Sequence, residues 1–185
     1  MTDPRVARSR RAILDAAVEL LVEQGFAGTT VEAIAARSGA AKTTIYRQWP
    51  DKHAVLRAAV ESIVPAAAPS DTGSLHGDLV TFARDLDRIL HTAPTSALIP
   101  GLLDAAERDP GLAKVLAAFT ARRRKPVHDA VARAIARGEA AANTDPEFVA
   151  DLFLGPLFYR RLLSREPLDD AFVERVVEVT LASTR

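Results

Sequence analysis

Residues 29–52 read TTVEAIAARSGAAKTTIYRQWPDK. Thr30 is a favourable N-cap residue, because its hydroxyl can accept a hydrogen bond from the first helical turn, and it predicts a short helix over 31–38. Gly39 permits a tight turn directly afterwards. A second short helix is predicted over 42–48. The stretch therefore predicts two short helices joined by a glycine-containing turn.

The second of these helices has a clear end and a polar outer side. It ends at Trp49-Pro50, because the residue before a proline avoids the α-helical region. Asp51 is a good cap for the next helix, which is predicted to run through Ile63. Ile45 and Trp49 are predicted to anchor the second helix to a small core. Its outward side chains are Lys42, Thr43, Thr44, Tyr46 and Arg47. This is the layout of a helix-turn-helix.

The whole stretch resembles the DNA-binding motif of the TetR family of repressors, with matching residue types at many linked positions. The resemblance implies that the helix over 42–48 enters the major groove of operator DNA. Arg47 and Thr43 would then read bases, because a guanidinium can bond guanine bidentately and a threonine methyl can contact thymine. Thr44 and Tyr46 resemble the family's phosphate contacts.

Two further phosphate contacts are predicted at helix starts. Thr30 and Lys52 lie where backbone amides and the helix dipole favour an anion. The complete set of predicted DNA-binding residues is Thr30, Lys42, Thr43, Thr44, Tyr46, Arg47 and Lys52.

The chain departs from the family pattern at two places. Ala41 stands where the family commonly places a capping serine, and the missing cap costs about 1 kcal/mol. Arg47 and Gln48 follow Tyr46, where the family often has histidine and tyrosine. The operator sequence therefore cannot be carried over from relatives.

Each predicted DNA contact also has a purely structural explanation. Tyr46 could pack in the small core, Lys42 and Arg47 could be ordinary solvated charges, and Thr30 caps a helix with or without DNA. The leading arginines could form a flexible arm along DNA or a solvated helix start: Arg8, Arg10 and Arg11. Residues 1–60 carry a net charge of +3 and the rest of the chain −3, as a DNA-binding head on an acidic body would.

Apolar residues along the rest of the chain recur at helical spacing, and no stretch shows the alternation of a β-strand. Further helices are predicted over about 8–24, 75–90, 96–108, 111–137, 146–164 and 169–182. A kink is expected at Pro126. We predict an all-α fold of about nine helices, with a three-helix DNA-binding domain at 1–50, a linking helix at 51–64, and a ligand-binding and dimerisation domain at 65–185. Residues 65–74 form a loop at the boundary.

By the same resemblance, the C-terminal domain senses a small molecule, and its last two helices pair with those of a second copy. The candidate ligand-binding residues are Phe82, Leu86, Leu103, Phe119, Arg123, His128, Phe153 and Phe158. The candidate dimer residues are Leu152, Leu157, Phe172, Val176 and Val179. Ordinary core packing is the alternative for the apolar residues, and a solvated face is the alternative for the basic run 122–125.

The composition argues against several other classes of protein. The 185 residues include no cysteine, which excludes disulfides and cysteine-ligated metal. No apolar run approaches the roughly 20 residues of a membrane-spanning helix. The charged N-terminus lacks the apolar segment of a signal peptide, so we expect a cytoplasmic protein. The four histidines are scattered, and no phosphate loop or nucleophile motif occurs. We expect no metal, no cofactor and no enzymatic activity.

These observations predict a dimeric DNA-binding transcriptional regulator, a repressor that a small molecule releases from DNA. An activator remains an alternative. A second alternative is a helical ligand-binding or protein-interaction module whose helix-turn-helix no longer reads DNA. The intact polar helix over 42–48 argues against that module.

Overall fold

The computed structural model describes residues 4–63, 70–91 and 93–185, without the side chains of 93–95 and 97. Within these ranges the chain forms nine α-helices, one π-helical turn and no strand, which confirms the all-α prediction. The helices are α1 (Pro4–Gly28), α2 (Val31–Ser38), α3 (Lys42–Gln48), α4 (Lys52–Ile63), α5 (Leu75–His91), α6 (Ala93–Ala106), α7 (Pro110–Arg137), α8 (Pro146–Phe158) and α9 (Asp170–Ala182). Of the loop predicted over 65–74, residues 65–69 lie outside the described ranges and 70–74 are non-helical.

The helices fall into two compact units. The first contains α1 to α4, α6 and α7 up to Phe119. The second contains α5, α7 from Thr120, α8 and α9. The predicted helix over 96–108 is α6, and it packs in the first unit with α1 and α4.

The first unit is built around α1. This helix begins at Pro4, earlier than the predicted start at Arg8, because proline suits a first turn and the arginines that follow are good helix formers. A kink at Gly25, with φ of 68°, separates its last residues. The predicted apolar stripe is buried: Ile13, Ala16, Ala17, Leu20 and Leu21. It packs against α2, α4 and α6, and so holds the two short helices in place.

The second unit is built around α5, whose predicted stripe is also buried: Leu75, Leu79, Phe82, Leu86 and Leu90. This helix packs against α9, which in turn packs against α8. The helix α7 continues through Pro126 as a single element. Asp145 caps α8 by accepting a hydrogen bond from the Glu147 amide, with Pro146 at the first helical position.

The end of α8 differs from the prediction of one helix over 146–164. The α-helix stops at Phe158, and residues Tyr159–Leu163 form a π-helical turn closed by the Ser164 amide, which donates to the Tyr159 carbonyl at 3.1 Å. Pro156 lies just upstream and has no amide hydrogen to donate, so the regular ladder is already broken there.

A buried carboxylate ties the start of α5 to α7. Asp78 is 1% exposed, and it accepts hydrogen bonds from the Thr72 amide at 2.7 Å and from Arg133 Nη2 at 2.9 Å. Burial opposes ionisation of this group, but the Thr72 and Arg133 donors outweigh it and hold the pKa of Asp78 below its usual value of 3.8.

None of the helices in the described part of the chain is both long and apolar enough to pass through a lipid bilayer.

Candidate nucleic-acid interface

The turn between α2 and α3 is built as the sequence predicts. Thr30 Oγ1 accepts a hydrogen bond from the Ala33 amide at 3.1 Å and caps α2. The helix ends at Gly39, which lies in the left-handed region with φ 68° and ψ 9°. Ser38 Oγ accepts from the Ala40 amide at 3.3 Å, within the turn. These local bonds fix the direction in which α3 leaves α2.

The inner side of α3 anchors the helix. Ile45 is completely buried and Trp49 is 5% exposed, as predicted. The Trp49 amide donates to the Ile45 carbonyl at 2.9 Å and ends the helix. From α1, the guanidinium of Arg10 lies 4.6 Å from the centroid of the Trp49 ring, a cation–π contact. The orientation of α3 is therefore set by packing. Its cap residue, Ala41, makes no side-chain cap bond, as the sequence predicts.

The outer side of α3 is polar and open to solvent. Lys42, Thr43, Tyr46 and Arg47 are exposed, and Thr44 is half-buried. The Tyr46 side chain is 49% exposed, so the alternative that places it in the small core is wrong. Helical spacing puts positions 42, 43, 46 and 47 on one face, which is the shape a recognition helix needs to enter a groove.

The two cations of this face have different surroundings. Lys42 Nζ lies 2.9 Å from Glu32 Oε1 of α2, and this hydrogen bond lowers the pKa of Glu32 and raises the pKa of Lys42. Arg47 has no hydrogen bond or ion pair with any residue of the described ranges. The guanidinium of Arg47 is thus available for a partner outside the chain.

The predicted phosphate contacts lie at two helix starts. The Thr30 hydroxyl uses one lone pair on the Ala33 amide and keeps its proton to donate. Asp51 Oδ1 accepts from the Ala54 amide at 2.8 Å and caps α4, and Lys52 follows it as the first helical residue. Lys52 is half-buried and has no polar partner among the residues that the structure describes.

The leading arginines lie on α1, so the flexible-arm alternative is wrong. Arg10 stacks on Trp49, and Arg11 pairs with Asp15 at 2.9 Å. Arg8 is exposed on the same helix. The helix starts early enough to include all of them.

One contact that shapes this region was missed by sequence reasoning. Arg37 of α2 donates to Glu23 at 2.8 Å and to Glu19 at 3.3 Å, both on α1. These bonds raise the pKa of Arg37 further above its usual range. Arg37 is 14 positions from Glu23 and 18 from Glu19, and only the packing of α2 on α1 brings it to them, so no local pattern could have identified the contact.

Comparison with known proteins decides the family. The family model described as "Bacterial regulatory proteins, tetR family" matches residues 13–59, and the one described as "Tetracyclin repressor-like, C-terminal domain" matches residues 69–180. The chain belongs to the TetR family. It is accordingly a DNA-binding transcriptional regulator with an N-terminal helix-turn-helix.

Individual relatives match over nearly the whole chain. The uncharacterized HTH-type transcriptional regulator YdeS of Bacillus subtilis is 37% identical, over 94% of this chain and 88% of its own length. The DNA-binding transcriptional repressor TetR of Mycobacteroides abscessus is 33% identical, over 92% and 90%. The crystal structure of one TetR family transcription regulator, 31% identical, matches with a TM-score of 0.72 over 96% of this chain and 98% of its own.

The predicted ligand-binding residues of this TetR-family chain are divided between the two units. Leu103 and Phe119 belong to the first, where Leu103 is 43% exposed and Phe119 is buried. In the second unit Phe82 and Phe153 pack edge to face, with ring centroids 5.8 Å apart. Leu86 is buried and Phe158 half-buried.

The basic run 122–125 is not uniformly solvated. Arg123 is the buried member, at 5% exposure, and burial together with the charge of Arg122 lowers the pKa of Arg123 to about 10. Arg124 pairs with Glu147 and Asp151, and Lys125 pairs with Asp129. His128 Nε2 lies 3.7 Å from Glu147 Oε1 and has no hydrogen-bond partner within the described residues.

Four of the five predicted dimer residues line one groove between α8 and α9. The groove has a volume of about 270 Å³, and the four are Leu152, Phe172, Val176 and Val179. Val179 is 61% exposed, whereas the opposite face of α9 is buried through Val173, Val177 and Thr180. Leu157 is completely buried within the unit, so it stabilises α8 from inside and has no surface to offer a second copy.

Proposed function

We propose that this TetR-family chain represses transcription in the cytoplasm by holding operator DNA on α3 and releasing it when a small molecule binds the C-terminal helical domain. The observation that carries the proposal is the geometry of α3. Ile45 and Trp49 are buried, while Lys42, Tyr46 and Arg47 are exposed on the other face. Repression is supported by the relative in Mycobacteroides abscessus, which is named as a repressor.

Roles follow from the chemistry of each exposed side chain. Arg47 has no internal partner among the described residues, and its guanidinium can bond the O6 and N7 of guanine; we propose it and Thr43 as base readers. Tyr46 and Thr44 would donate their hydroxyl protons to phosphates. Thr30 and Lys52 would hold phosphates at the starts of α2 and α4, and Lys42 would add charge beside the groove.

The active form is proposed to be a homodimer paired through α8 and α9. Val179 is exposed beside the groove that Leu152 and Phe172 line. Together they form an apolar surface that a second copy would cover. Leu152, Phe172, Val176 and Val179 form the proposed contact, and Leu157 is left out because it is completely buried and does not line the groove. A two-fold dimer would place two α3 helices to read two half-sites of one operator.

The effector is proposed to bind in the second unit, near its candidate residues Phe82, Leu86, Arg123, His128, Phe153 and Phe158; Leu103 and Phe119 remain separate candidates within the first unit. The buried guanidinium of Arg123 favours an effector with a negative or strongly hydrogen-bonding group. Binding must favour the DNA-released state over the DNA-bound state, since only such a difference in affinity can release the operator.

We keep the functional division proposed from the sequence, with the DNA-reading head at 1–50, a linking helix at 51–64 and the effector domain at 65–185. The two family models, at 13–59 and 69–180, support it. Within the first unit, α6 packs with α1 and with the linking helix α4.

The test is a selection of genome fragments by the full-length protein, followed by fluorescence anisotropy on the best fragment at two salt concentrations. A specific repressor binds that fragment at least about a thousandfold more tightly than random DNA, with affinity that falls as salt rises. Weak binding that is equal on all fragments would favour the alternative, a ligand-binding or interaction module with a degenerate helix-turn-helix.

A further inference from the structure

A cleft of about 440 Å³ lies in the first unit, between α4 and the first turns of α7. Its walls come from residues at helical spacing on the facing sides of these helices. Those used below are His53, Ala54 and Arg57 on α4, and Lys114, Val115 and Ala118 on α7. The volume falls in the range of small-molecule sites, about 300–1,000 Å³.

Small residues and one hydrogen bond give the cleft its shape. A side chain at Gly111 would not fit, because a Cβ there would lie 2.4 Å from the His53 ring. His53 Nε2 is 3.1 Å from Asp109 Oδ2, while Asp109 Oδ1 accepts from the Gly111 amide at 2.7 Å and caps α7. One end of the cleft is therefore held by contacts on both helices before any ligand arrives.

Two cations line the cleft, together with the carboxylate of Asp51. Arg57 and Lys114 are exposed on opposite walls, and neither has an ion pair or hydrogen bond with any residue in the described ranges. The nearby carboxylates have N–H partners: Asp51 accepts from the Ala54 amide, and Asp109 from His53 and the start of α7. Two cations on facing helices are thus left to bind one anion.

The floor between these cations is apolar. Ala54, Val115 and Ala118 line it with methyl groups, and Val115 is 4% exposed. A compact inorganic anion would leave the half-buried methyl groups of Ala54 and Ala118 in contact with water, whereas an organic acid would cover them. A carboxylate also suits the guanidinium of Arg57, which can hold both oxygens in a bidentate pair.

We propose that this cleft binds a small amphipathic carboxylic acid, with the carboxylate between Arg57 and Lys114 and the apolar part over Ala54, Val115 and Ala118. None of the proposed effector residues lines this cleft. It lies beside α4, the helix that follows the DNA-reading motif.

Trp49 provides an intrinsic fluorescence signal close to this site. Trp49 is the single tryptophan of the sequence, and Pro50, the next residue, lines the cleft. The test is a calorimetric titration of the full-length protein with octanoate, with Trp49 emission recorded in parallel. Octanol serves as the uncharged counterpart of the probe and inorganic phosphate as an anion without an apolar part.

Octanoate is expected to bind saturably and to change Trp49 emission, and both octanol and phosphate to bind much more weakly. Arg57→Gln and Lys114→Gln should each weaken octanoate binding about tenfold or more, the loss expected for one charge-assisted hydrogen bond. Lys125→Gln is the matched control on α7, because Lys125 pairs with Asp129 and does not line the cleft; it should bind octanoate as the parent does.

Three results would overturn the proposal. Equal octanoate binding by the parent and by both cleft variants would place the acid elsewhere in the protein. Phosphate binding as tight as that of octanoate would remove the role of the apolar floor. Loss of DNA affinity in Arg57→Gln and Lys114→Gln, without any change toward octanoate, would assign these cations to the DNA backbone.

Discussion

Lys42 Nζ lies 2.9 Å from Glu32 Oε1, so an ion pair joins α2 to α3 across the turn of the DNA-reading motif. Both side chains are more than half exposed. Exposed pairs of this kind contribute little to stability. The pair matters more for binding, because it occupies the ammonium group and places a carboxylate beside a face that we propose contacts phosphates.

Glu32→Gln should tighten binding to operator DNA severalfold and steepen its salt dependence. The change removes a negative charge near the phosphates and frees Lys42 to release a counterion from the DNA. Anisotropy titrations at several salt concentrations measure both effects. Glu107→Gln removes an exposed carboxylate without a described partner and should change neither. Unchanged or weaker binding by Glu32→Gln would show that Lys42 does not approach DNA.

Gly111→Ala should destabilise the protein by about 1 kcal/mol, although alanine normally favours a helix. The new Cβ would lie 2.4 Å from the His53 ring, so the ring must move and lose its hydrogen bond to Asp109. Thermal or urea unfolding measures the change. In a His53→Ala background the clash is absent, and the same substitution should be neutral or stabilising by a few tenths of a kcal/mol. An equal loss of unfolding free energy in the parent and in the His53→Ala background would contradict the proposed clash between the new Cβ and the His53 ring.

Asp78→Asn should cost about 2–3 kcal/mol of unfolding free energy at neutral pH, because it leaves Arg133 without its buried partner. The folded-state pKa of Asp78 lies below its usual value of 3.8. Its stabilising contribution is therefore complete above about pH 5 and is lost as the pH falls through 3.8 toward the folded value. Urea midpoints measured from about pH 5 to pH 3 should fall less steeply in the variant. If the urea midpoints of the parent and the variant fell in parallel with pH, a group other than Asp78 would account for the loss of stability in acid.

Val179→Asp should convert the proposed dimer to a monomer, because a carboxylate would be buried in the proposed α8–α9 contact without a partner. Sedimentation equilibrium should give a mass near 19.9 kDa for the variant and twice that for the parent. Val22→Asp, at an exposed valine of α1, is the control and should stay dimeric. A dimeric Val179→Asp protein would place the interface on another surface.

The sequence predicted most elements because their signals are local. Thr30 and Asp51 cap the helix that follows each of them, and Gly39 occupies a left-handed turn that suits a residue without a Cβ; all three signals act within a few residues. The inward positions of Ile45 and Trp49 follow from helical periodicity in the same way. The exposure of Tyr46 was left open by the sequence, since a tyrosine at that spacing suits either side of the helix.

The features that the sequence did not predict depend on contacts between distant residues. Arg133 and Asp78 are 55 positions apart and His53 and Asp109 are 56, so only the packed helices bring them together. The π-helical turn after Phe158 depends on backbone hydrogen bonding rather than on side-chain pattern. Nothing in the local sequence of α6 indicates that it packs with α1.

The central claim is that the outer face of α3 reads operator sequence, and the most direct measurement is anisotropy with the selected operator and a shuffled duplex. Arg47→Ala should lose about 1–3 kcal/mol of operator affinity and most of its preference over shuffled DNA. Tyr46→Phe should weaken binding to both duplexes by a similar factor, since it removes a proposed phosphate contact. Arg88→Ala, a surface change on α5, should leave both affinities unchanged. If Arg47→Ala instead keeps the full preference of the parent, the face of α3 does not read the operator and the account is contradicted.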